Sequence, residues 1–352
     1  MKLLVTGGAG FIGSAFIRLT LGAPDAPQVI NLDKLTYAGN LENLEAVAAH
    51  AKYRFVHGDI CDAAVVNAVM ADEKPDAIVH FAAESHVDRS IFTPSPAFET
   101  NLRGTFTLLE AAREHHPGRF IHISTDEVYG SLEAPLEADE NFALHPSSPY
   151  SASKAGSDLL ARSYSTTYHV PVIVTRASNN YGPYQFPEKL IPLMISNALE
   201  RRPLPVYGDG MQVRDWLYVD DHCRAIQAVI AKGRVGEIYN IGGSRSLPNL
   251  EVIRQILAAT GGPEALVQFV EDRPGHDRRY ALSSAKIMRE TGWAPQVTFE
   301  DGLARTIEWY RRNTKWVARV KSGEYQSYYA RNYERRESEL RMSSAMPVRP
   351  KA

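Results

Sequence analysis

The chain has 352 residues, of which 44% are hydrophobic and 23% are charged, and its formal net charge is −2. This length suits one large domain or two closely joined ones, and the hydrophobic content allows a substantial core. The near-neutral charge, without a basic stripe, excludes a nucleic-acid binder held by phosphate contacts. Cys61 and Cys223 are far apart in the sequence and no Cys/His ligand pattern is present, so we expect neither a disulfide framework nor a metal site.

The N-terminal apolar run is too short for a signal peptide, and no apolar run is long enough to cross a bilayer. We therefore expect a cytoplasmic protein with no membrane partner. Through the first half, short apolar runs alternate with helical patterns. Strands are predicted at residues 2–6, 28–32, 53–56, 77–81, 119–123 and 170–175, and helices at 11–21, 63–71, 96–115 and 150–168. This alternation predicts βαβ units, and therefore a doubly wound parallel α/β sheet of the Rossmann type.

The pattern changes after Arg176, where several prolines interrupt the chain. Helices are predicted there at residues 220–232, 250–259 and 299–313. We expect residues 1–177 to form a nucleotide-binding domain, with returns to its sheet within 213–243. Residues 178–212 and 244–325 are expected to form a smaller, mostly C-terminal substrate-binding α/β part. The charged and polar residues 326–352 are predicted to form a loose C-terminal extension.

Glycines at positions 7, 10 and 13 stand between the first predicted strand and the first predicted helix. Such glycines permit a tight turn and bring the backbone close to a pyrophosphate, which the helix N-terminus then binds. Asp33 ends the second strand about 20 residues later, where a carboxylate binds the ribose 2′-hydroxyl and disfavours a 2′-phosphate. NAD is therefore the expected cofactor. Asp59 is expected either beside the adenine or as a helix N-cap.

Two further groups indicate chemistry. Tyr150 and Lys154 are four residues apart on one helix face, and a lysine beside a phenol lowers its pKa and makes it a usable base. Asp126 and Glu127 follow the fifth strand, where doubly wound folds bind ligands, and adjacent carboxylates there would supply an acid and a base together. Alternatively, Asp126 and Glu127 belong to an exposed turn, and a Tyr-x-x-x-Lys pattern also occurs by chance.

The glycine turn, Asp33, Tyr150 and Lys154 resemble the extended short-chain dehydrogenase/reductase family. Within that family, residues 125–130 resemble the signature of the dTDP-glucose 4,6-dehydratases, and residues 33–40, 82–88, 176–183 and 213–219 are also similar. The resemblance covers nearly the whole chain to about residue 310. It implies catalytic roles for Thr125, Asp126, Glu127, Tyr150 and Lys154.

The resemblance also implies binding residues. The NAD site it implies contains Gly7, Gly10, Phe11, Ile12, Gly13, Asp33, Lys34, Leu35, Thr36, Asp59, Ile60, Phe81, Ala82, Ala83, Ser85, Thr100, Tyr150, Lys154 and Asn180. The nucleoside-diphosphate glucose site it implies contains Ser85, Thr125, Asn179, Glu188, Lys189, Leu190, Arg214, Asn249, Arg273, His276 and Asp277. No catalytic role is assigned to His86 or His276. A homodimer built from the helices of residues 96–115 and 150–168 is also implied.

The resemblance implies a lyase reaction with NAD tightly bound and regenerated in each turnover. In it, hydride leaves C4 of glucose, water is eliminated across C5 and C6, and hydride returns to C6. The alternatives are a UDP-glucose 4,6-dehydratase, a UDP-sugar 4-epimerase or UDP-glucuronate decarboxylase, and a non-catalytic NAD-sensing protein. The acidic pair argues against the epimerase, and Tyr150 with Lys154 argues against a protein that only senses NAD.

Overall fold

The computed structural model describes residues 1–243, 245–322, 329 and 333. The strands are β1 (Lys2–Thr6), β2 (Gln28–Asp33), β3 (Tyr53–His57), β4 (Ala77–His80), β5 (Arg119–Thr125), β6 (Val172–Ala177), β7 (Asn179–Tyr181), β8 (Leu204–Tyr207), β9 (Val213–Tyr218), β10 (Ile238–Ile241), β11 (Arg245–Pro248) and β12 (Val267–Val270). Within the described residues, seven of these form one parallel sheet in the order β10-β6-β5-β4-β1-β2-β3. The predicted doubly wound parallel α/β fold is confirmed.

Helices connect the parallel strands and cover both faces of the sheet. They are α1 (Phe11–Leu21), α2 (Ala63–Glu73), α3 (Val87–Phe92), α4 (Ser95–Phe98), α5 (Thr105–His115), α6 (Pro149–Tyr168), α7 (Leu190–Leu199), α8 (Val219–Lys232), α9 (Asn249–Thr260), α10 (Ala285–Thr291), α11 (Phe299–Arg312) and α12 (Thr314–Val320). The helix predicted at 96–115 is instead α4, a π-helical segment (Glu99–Gly104) and α5 in succession. Of the described helices, none is both long and apolar enough to cross a membrane.

Alternating side chains of the strands supply the two cores beside the large sheet. On β1, Leu3 and Val5 belong to the cluster that packs against α1 and α8, while Leu4 belongs to the cluster under α2 and α5. This follows from the two-residue period of a strand, which sends successive side chains to opposite faces. Because both faces are covered, the strands are apolar throughout, as parallel sheets require.

Beyond the large sheet, a smaller part is built on short strands and the last helices. Strand β9 pairs with β7 in parallel and with β11 in antiparallel orientation, and β12 pairs with β8. Of the segments expected to return to the large sheet, β10 joins its edge, whereas β9 lies in the three-stranded sheet. A separate apolar core holds this part together, with α7, α9 and α11 packed around Phe299 and Tyr310.

Of the predicted C-terminal extension, residues 326–352, all but two lie outside the described residues. Tyr329 and Tyr333 are described, with ring centroids 5.0 Å apart. Tyr329 is buried in the core of the smaller part, and its hydroxyl accepts a hydrogen bond from Asn197 at 3.1 Å. At Tyr329 and Tyr333 the chain therefore contacts the body of the protein.

Candidate active site

A single cleft runs along the carboxyl edge of the large sheet and continues against the smaller part. Parallel strands place their carboxyl ends and the following loops at one edge, so residues distant in sequence meet there. Every residue predicted to contact NAD lines this cleft except Leu35. Of the predicted substrate residues, six line it, namely Ser85, Thr125, Asn179, Glu188, Lys189 and Leu190.

The glycine turn between β1 and α1 closes one end of the cleft. Gly7 has a positive φ of +71°, and a Cβ atom on it would lie 2.5 Å from the backbone nitrogen of Ala82. A Cβ on Gly13 would overlap the Gly7 carbonyl oxygen. Only glycine therefore fits at these positions, and α1 opens on its free N–H groups with Gly10 as the N-cap. This turn has the shape and the donors that a dinucleotide pyrophosphate requires.

Asp33 holds this turn against the end of β2. One carboxyl oxygen accepts a hydrogen bond from the Ala9 backbone N–H at 2.8 Å, and the other accepts one from Leu35 at 2.8 Å. Burial raises the pKa of Asp33 above its usual value. Each oxygen keeps a lone pair for a further donor, such as a ribose hydroxyl. Leu35 therefore acts on Asp33 through its backbone and lies outside the cleft.

Asp59 also lines the cleft, close to Asp33. Its carboxylate forms an ion pair with Lys34, with 2.6 Å between the charged atoms. The expectation that Asp59 caps the helix after β3 is wrong, because Asp62 caps α2 by accepting the N–H groups of Ala64 and Val65. Asp59 therefore lies at the side of the cleft, paired with Lys34.

Tyr150 and Lys154 lie in the first turns of α6, which starts at a capping box formed by Ser148 and Ser151. Tyr150 is 8% exposed, and Lys154 Nζ donates a hydrogen bond to the Ile123 carbonyl at 2.7 Å. Burial and the negative charge of Glu127 raise the pKa of Tyr150, while a hydrogen bond with the Thr125 side chain opposes this rise.

This environment differs from the one expected from the sequence. Burial lowers the pKa of Lys154 to about 8, and its ammonium is bonded to a backbone carbonyl. The predicted lowering of the Tyr150 pKa by Lys154 is therefore absent from the protein alone. The reason is physical: an apolar surrounding disfavours the charged forms of both side chains. A positive charge brought into the cleft beside Tyr150 would lower the pKa of the phenol again.

The acidic pair follows the end of β5 in a short 3-10 turn (Asp126–Tyr129), which Thr125 caps by accepting the Glu127 N–H at 3.3 Å. Asp126 is 3% exposed, and one of its oxygens has no hydrogen-bond partner within the described part of the chain. Burial, Glu127 and Asp215 raise the pKa of Asp126 well above its usual value. The alternative of an exposed turn is wrong, because Asp126 is buried and its surroundings favour the protonated form of the acid.

Glu127 is more accessible than Asp126 and faces the smaller part of the protein. The Tyr280 hydroxyl lies 3.5 Å from Glu127 Oε2 and donates a shorter bond, of 2.8 Å, to Asp277. The two neighbouring carboxyl groups therefore differ in environment: one is enclosed in the protein, and the other lines the cleft near a phenol. Such a difference separates an acid from a base.

The predicted substrate residues of the segment before α7 are anchored by ionic contacts. Glu188 pairs with Arg89 at 3.1 Å and accepts the Tyr37 hydroxyl at 2.9 Å. Lys189 donates to the Ser85 carbonyl at 2.5 Å, and burial lowers its pKa. Glu188 thus holds the cleft wall in place, and Lys189 presents a cation beside Ser85.

Arg214, Asn249, Arg273, His276 and Asp277 do not line the cleft itself. They belong to the smaller part, where Glu127 acts electrostatically on Arg214 and Arg273, and we call them the adjoining wall. Arg214 donates to the Asp277 carbonyl at 2.9 Å and stacks 4.1 Å from the Tyr280 ring centre. Burial lowers the pKa of Arg214, and the nearby Glu127 and Asp126 oppose this change. A guanidinium is therefore held buried beside the acidic pair.

The remaining members of this wall are tied to other side chains. Arg273, which is partly buried, forms an ion pair with the buried Asp88 at 3.0 Å, and His276 Nδ1 lies 2.6 Å from Asp272. Asn249 begins α9, and its side-chain oxygen has no partner among the residues that the structure describes. Arg273 and Arg214 give this wall a positive character that suits a diphosphate.

Several cleft residues escaped the sequence analysis, among them Glu84, Ser124, Trp216 and His222. The first three lie within or next to stretches that resemble the family, so the motif boundaries carried a usable signal. His222 carried none, because it lies on the amphipathic helix α8, three residues beyond the end of the nearest such stretch, residues 213–219. Its Nδ1 lies 3.0 Å from Asn180 Oδ1, which places it behind a predicted NAD contact.

Comparison with known proteins bears on this geometry. The family model described as GDP-mannose 4,6 dehydratase matches residues 4–306. A dTDP-glucose 4,6-dehydratase of Shigella flexneri is 53% identical, over 96% of this chain and 100% of that protein. The dTDP-glucose 4,6-dehydratase 1 of Escherichia coli K12 is 52% identical, over the same shares.

Solved structures agree with these relatives. A dTDP-glucose 4,6-dehydratase of Streptomyces venezuelae, solved with NAD bound, superposes with a TM-score of 0.88 at 55% identity, over 91% of this chain and 100% of that one. A UDP-glucose 4-epimerase of Thermus thermophilus, also with NAD, gives 0.82 at 32% identity, over 89% and 100%. The chain therefore belongs to the dTDP-glucose 4,6-dehydratase family of NAD-dependent nucleotide-sugar enzymes.

Proposed function

We propose that the chain is a lyase that converts dTDP-glucose to dTDP-4-keto-6-deoxyglucose and water, with NAD as its cofactor. The observation that carries the proposal is the buried Asp126, whose pKa is raised, beside the accessible Glu127, in the same cleft as Tyr150 and Lys154. Epimerisation at C4 needs a base for hydride transfer but no second acid–base pair. Elimination of water needs the base for hydride transfer and, in addition, a second acid–base pair.

Two features of the cleft fit NAD. One is the turn that only glycine can form. The other is Asp33, whose carboxyl oxygens accept backbone N–H groups and keep lone pairs for a further donor. When bound, NAD would supply the hydride acceptor for oxidation at C4 of the sugar and the hydride donor for C6. A carboxylate at Asp33 would repel a 2′-phosphate, so NAD is preferred over NADP. No net oxidation occurs, and the cofactor is expected to stay with the protein through each turnover.

Tyr150 takes the proton of the C4 hydroxyl as the carbonyl forms. Thr125, whose side chain lies beside Tyr150, is placed to donate to the new carbonyl oxygen when its hydroxyl turns away from Asp126. Lys154, whose Nζ now bonds the Ile123 carbonyl, is four residues along the same helix and is placed to bind a ribose hydroxyl of NAD. We therefore expect the positive charge that lowers the pKa of the Tyr150 phenol to be in place only once NAD is bound.

Glu127 removes the C5 proton, which the C4 ketone has made acidic. Asp126 delivers its proton to the C6 hydroxyl, which leaves as water, and a double bond forms between C5 and C6. C6 then accepts hydride and C5 accepts a proton, which gives the 4-keto-6-deoxy sugar. The raised pKa of Asp126 supports its role as the acid.

The diphosphate of the substrate is expected to lie against the positive wall formed by Arg214, Arg273 and Asn249, and the sugar against Ser85, Asn179 and Lys189. Glu188, Leu190, His276 and Asp277 are proposed to support these contacts. A uridine nucleotide fits the same diphosphate site, so the choice of thymidine depends on the similarity to the dTDP-glucose enzymes.

The test is to incubate the purified protein with dTDP-glucose, and separately with UDP-glucose, and to follow the sugar nucleotide by mass spectrometry. Loss of one water from dTDP-glucose alone is expected. Loss of water only from UDP-glucose would keep the mechanism and change the substrate. An unchanged mass together with a C4 epimer by NMR would overturn the dehydratase proposal.

A homodimer is part of this proposal. Several large apolar side chains on α4, α5 and α6 are exposed, namely Phe98, Phe106, Leu159 and Tyr168. Phe106 and Tyr168 both contact the ring of Tyr164, so they form a continuous aromatic patch. Light scattering is expected to give twice the chain mass, and Phe106→Glu is expected to give the monomer. A monomeric wild-type protein would contradict this part of the proposal.

A further inference from the structure

Four buried polar side chains form a chain of hydrogen bonds beneath the cleft. Asp158 on α6 pairs with Arg176 on β6 at 2.8 Å, and Arg176 donates to the Tyr129 hydroxyl at 2.9 Å. The Tyr129 hydroxyl donates in turn to Asn240 Oδ1 on β10 at 2.8 Å. None of the four is more than 2% exposed. None of them lines the cleft, and the proposed reaction uses none of them.

This buried network, Asp158–Arg176–Tyr129–Asn240, connects the two catalytic segments. Tyr129 is the last residue of the 3-10 turn that carries Asp126 and Glu127. Asp158 lies one helical turn beyond Lys154 on α6, which also carries Tyr150. The Arg176 guanidinium joins the two segments, because it is bonded to both Asp158 and Tyr129. It also lies 4.9 Å from the centre of the Tyr129 ring.

The 3-10 turn depends on such contacts for its position. A single turn of helix does not stabilise itself, because nucleation fixes several torsions for one hydrogen bond. Within the turn, the Thr125 cap holds one end, and the Tyr129 hydroxyl is fixed at the other end by one donor and one acceptor. Removing the Tyr129 hydroxyl would leave a buried donor of Arg176 and a buried acceptor of Asn240 without this hydrogen-bond partner. The turn could then shift.

We propose that Tyr129 and Arg176 are positioning residues that hold the elimination pair, Asp126 and Glu127, in register with the hydride-transfer pair, Tyr150 and Lys154. The inference rests on the proposed function. It predicts an asymmetric effect. The 3-10 turn would move when the network is cut at Tyr129, while the twenty-residue α6 is held by its own length and packing. Elimination should therefore slow more than C4 oxidation.

The test compares Tyr129→Phe with Tyr239→Phe. Tyr239 precedes Asn240 on β10 and is fully buried. Its hydroxyl, like that of Tyr129, accepts one hydrogen bond, from the Arg234 N–H, and donates one, to Glu290. It lies in the core under α8 and α10, away from the cleft. In Tyr129→Phe, the elimination rate should fall about tenfold, the change that matches one lost buried hydrogen bond. KM for dTDP-glucose should be unchanged.

The distinguishing measurement is the 340 nm absorbance in a single turnover. With Tyr129→Phe the reduced cofactor should accumulate transiently, because oxidation continues while elimination lags. With Tyr239→Phe the trace should match that of the wild type. Equal slowing of both steps in Tyr129→Phe, or the same trace in both variants, would overturn the inference.

Hydrogen–deuterium exchange separates this inference from the proposed function, because it needs no substrate. Exchange should rise at residues 126–130 in Tyr129→Phe and stay unchanged along α6. Arg176→Lys, which keeps the charge but loses the planar fork, should show the same local rise. If the wild type fails to dehydrate dTDP-glucose, the proposed function fails. If the wild type is active and exchange at residues 126–130 is unchanged in both variants, the positioning role fails alone.

Discussion

Thr125 Oγ1 donates a hydrogen bond to Oδ1 of Asp126 at 3.2 Å, while the other oxygen of Asp126 is buried without a partner in the described part of the chain. A charged carboxylate buried in such a place costs more free energy than the protonated acid does. The surroundings of Asp126 thus favour its protonated form at the position where the proposed reaction expels water.

Asp126→Asn is expected to stabilise the fold at neutral pH. The folded-state pKa of Asp126 is raised, so its contribution to stability is full below the unfolded pKa and is lost as the pH rises towards the folded one. The melting temperature of the variant minus that of the wild type should therefore grow between pH 4 and pH 8. A constant difference over this range would contradict a raised pKa.

The same variant and Glu127→Gln are expected to cut dehydration while sparing the initial C4 oxidation. Loss of general acid or base catalysis lowers a step by about 10²- to 10⁴-fold. A single-turnover experiment should show formation of the reduced cofactor at near the wild-type rate and little loss of water by mass spectrometry. If both steps fall equally, the division of labour between the two pairs is wrong.

Tyr150→Phe should abolish the earlier step instead. Without the phenol, no group remains to take the C4 hydroxyl proton, so C4 oxidation should fall by about 10²- to 10⁴-fold. The NAD content of the purified protein, measured after denaturation, should stay near that of the wild type. Retained formation of the reduced cofactor would remove Tyr150 from the proposed role.

Gly7→Ala should prevent NAD retention. The added Cβ would meet the backbone of Ala82 at 2.5 Å, and backbone cannot move aside as a flexible side chain does. Gly261→Ala is the matched control, because Gly261 has a similar positive φ but nothing within 4 Å of its Cβ. The control should keep its NAD. If both variants lose NAD equally, general strain rather than close approach is the cause.

Asp88→Asn should destabilise the protein by about 3–5 kcal/mol, because it leaves Arg273 charged and largely buried without its counter-charge. Arg273 holds the pKa of Asp88 below its usual range. The stabilisation is therefore present above the unfolded pKa, about 3.9, and is lost as the pH falls below it. The difference in unfolding free energy between the variant and the wild type, measured by denaturant titration, should be large at pH 7 and smaller at pH 3.

Asp209→Asn serves as the control for that measurement. Asp209 pairs with Arg278 on the surface, where both side chains are more than half exposed. Solvent screens such a pair, so little change in unfolding free energy is expected. A loss as large as that of Asp88→Asn would show that burial does not decide the difference.

Patterns within short stretches of the sequence predicted much of the fold and of the cofactor end of the cleft. The alternation of apolar runs and helical periods predicted the parallel sheet, because strands buried on both faces must be apolar throughout. The glycine spacing and Asp33 indicated the dinucleotide end, since only glycine allows the backbone approach found there. Tyr150 and Lys154 shared a helix face by their spacing alone. Each of these features depends on residues close together in sequence.

Only the tertiary structure decided the electrostatic state of the site. Burial, which no local pattern records, raises the pKa of Tyr150 and Asp126 and lowers that of Lys154. Contacts across the fold also placed Arg273 against Asp88, 185 residues away, and Arg176 under Tyr129. A pKa depends on the solvent and charges that surround a group in space, and those surroundings exist only once the distant segments have packed.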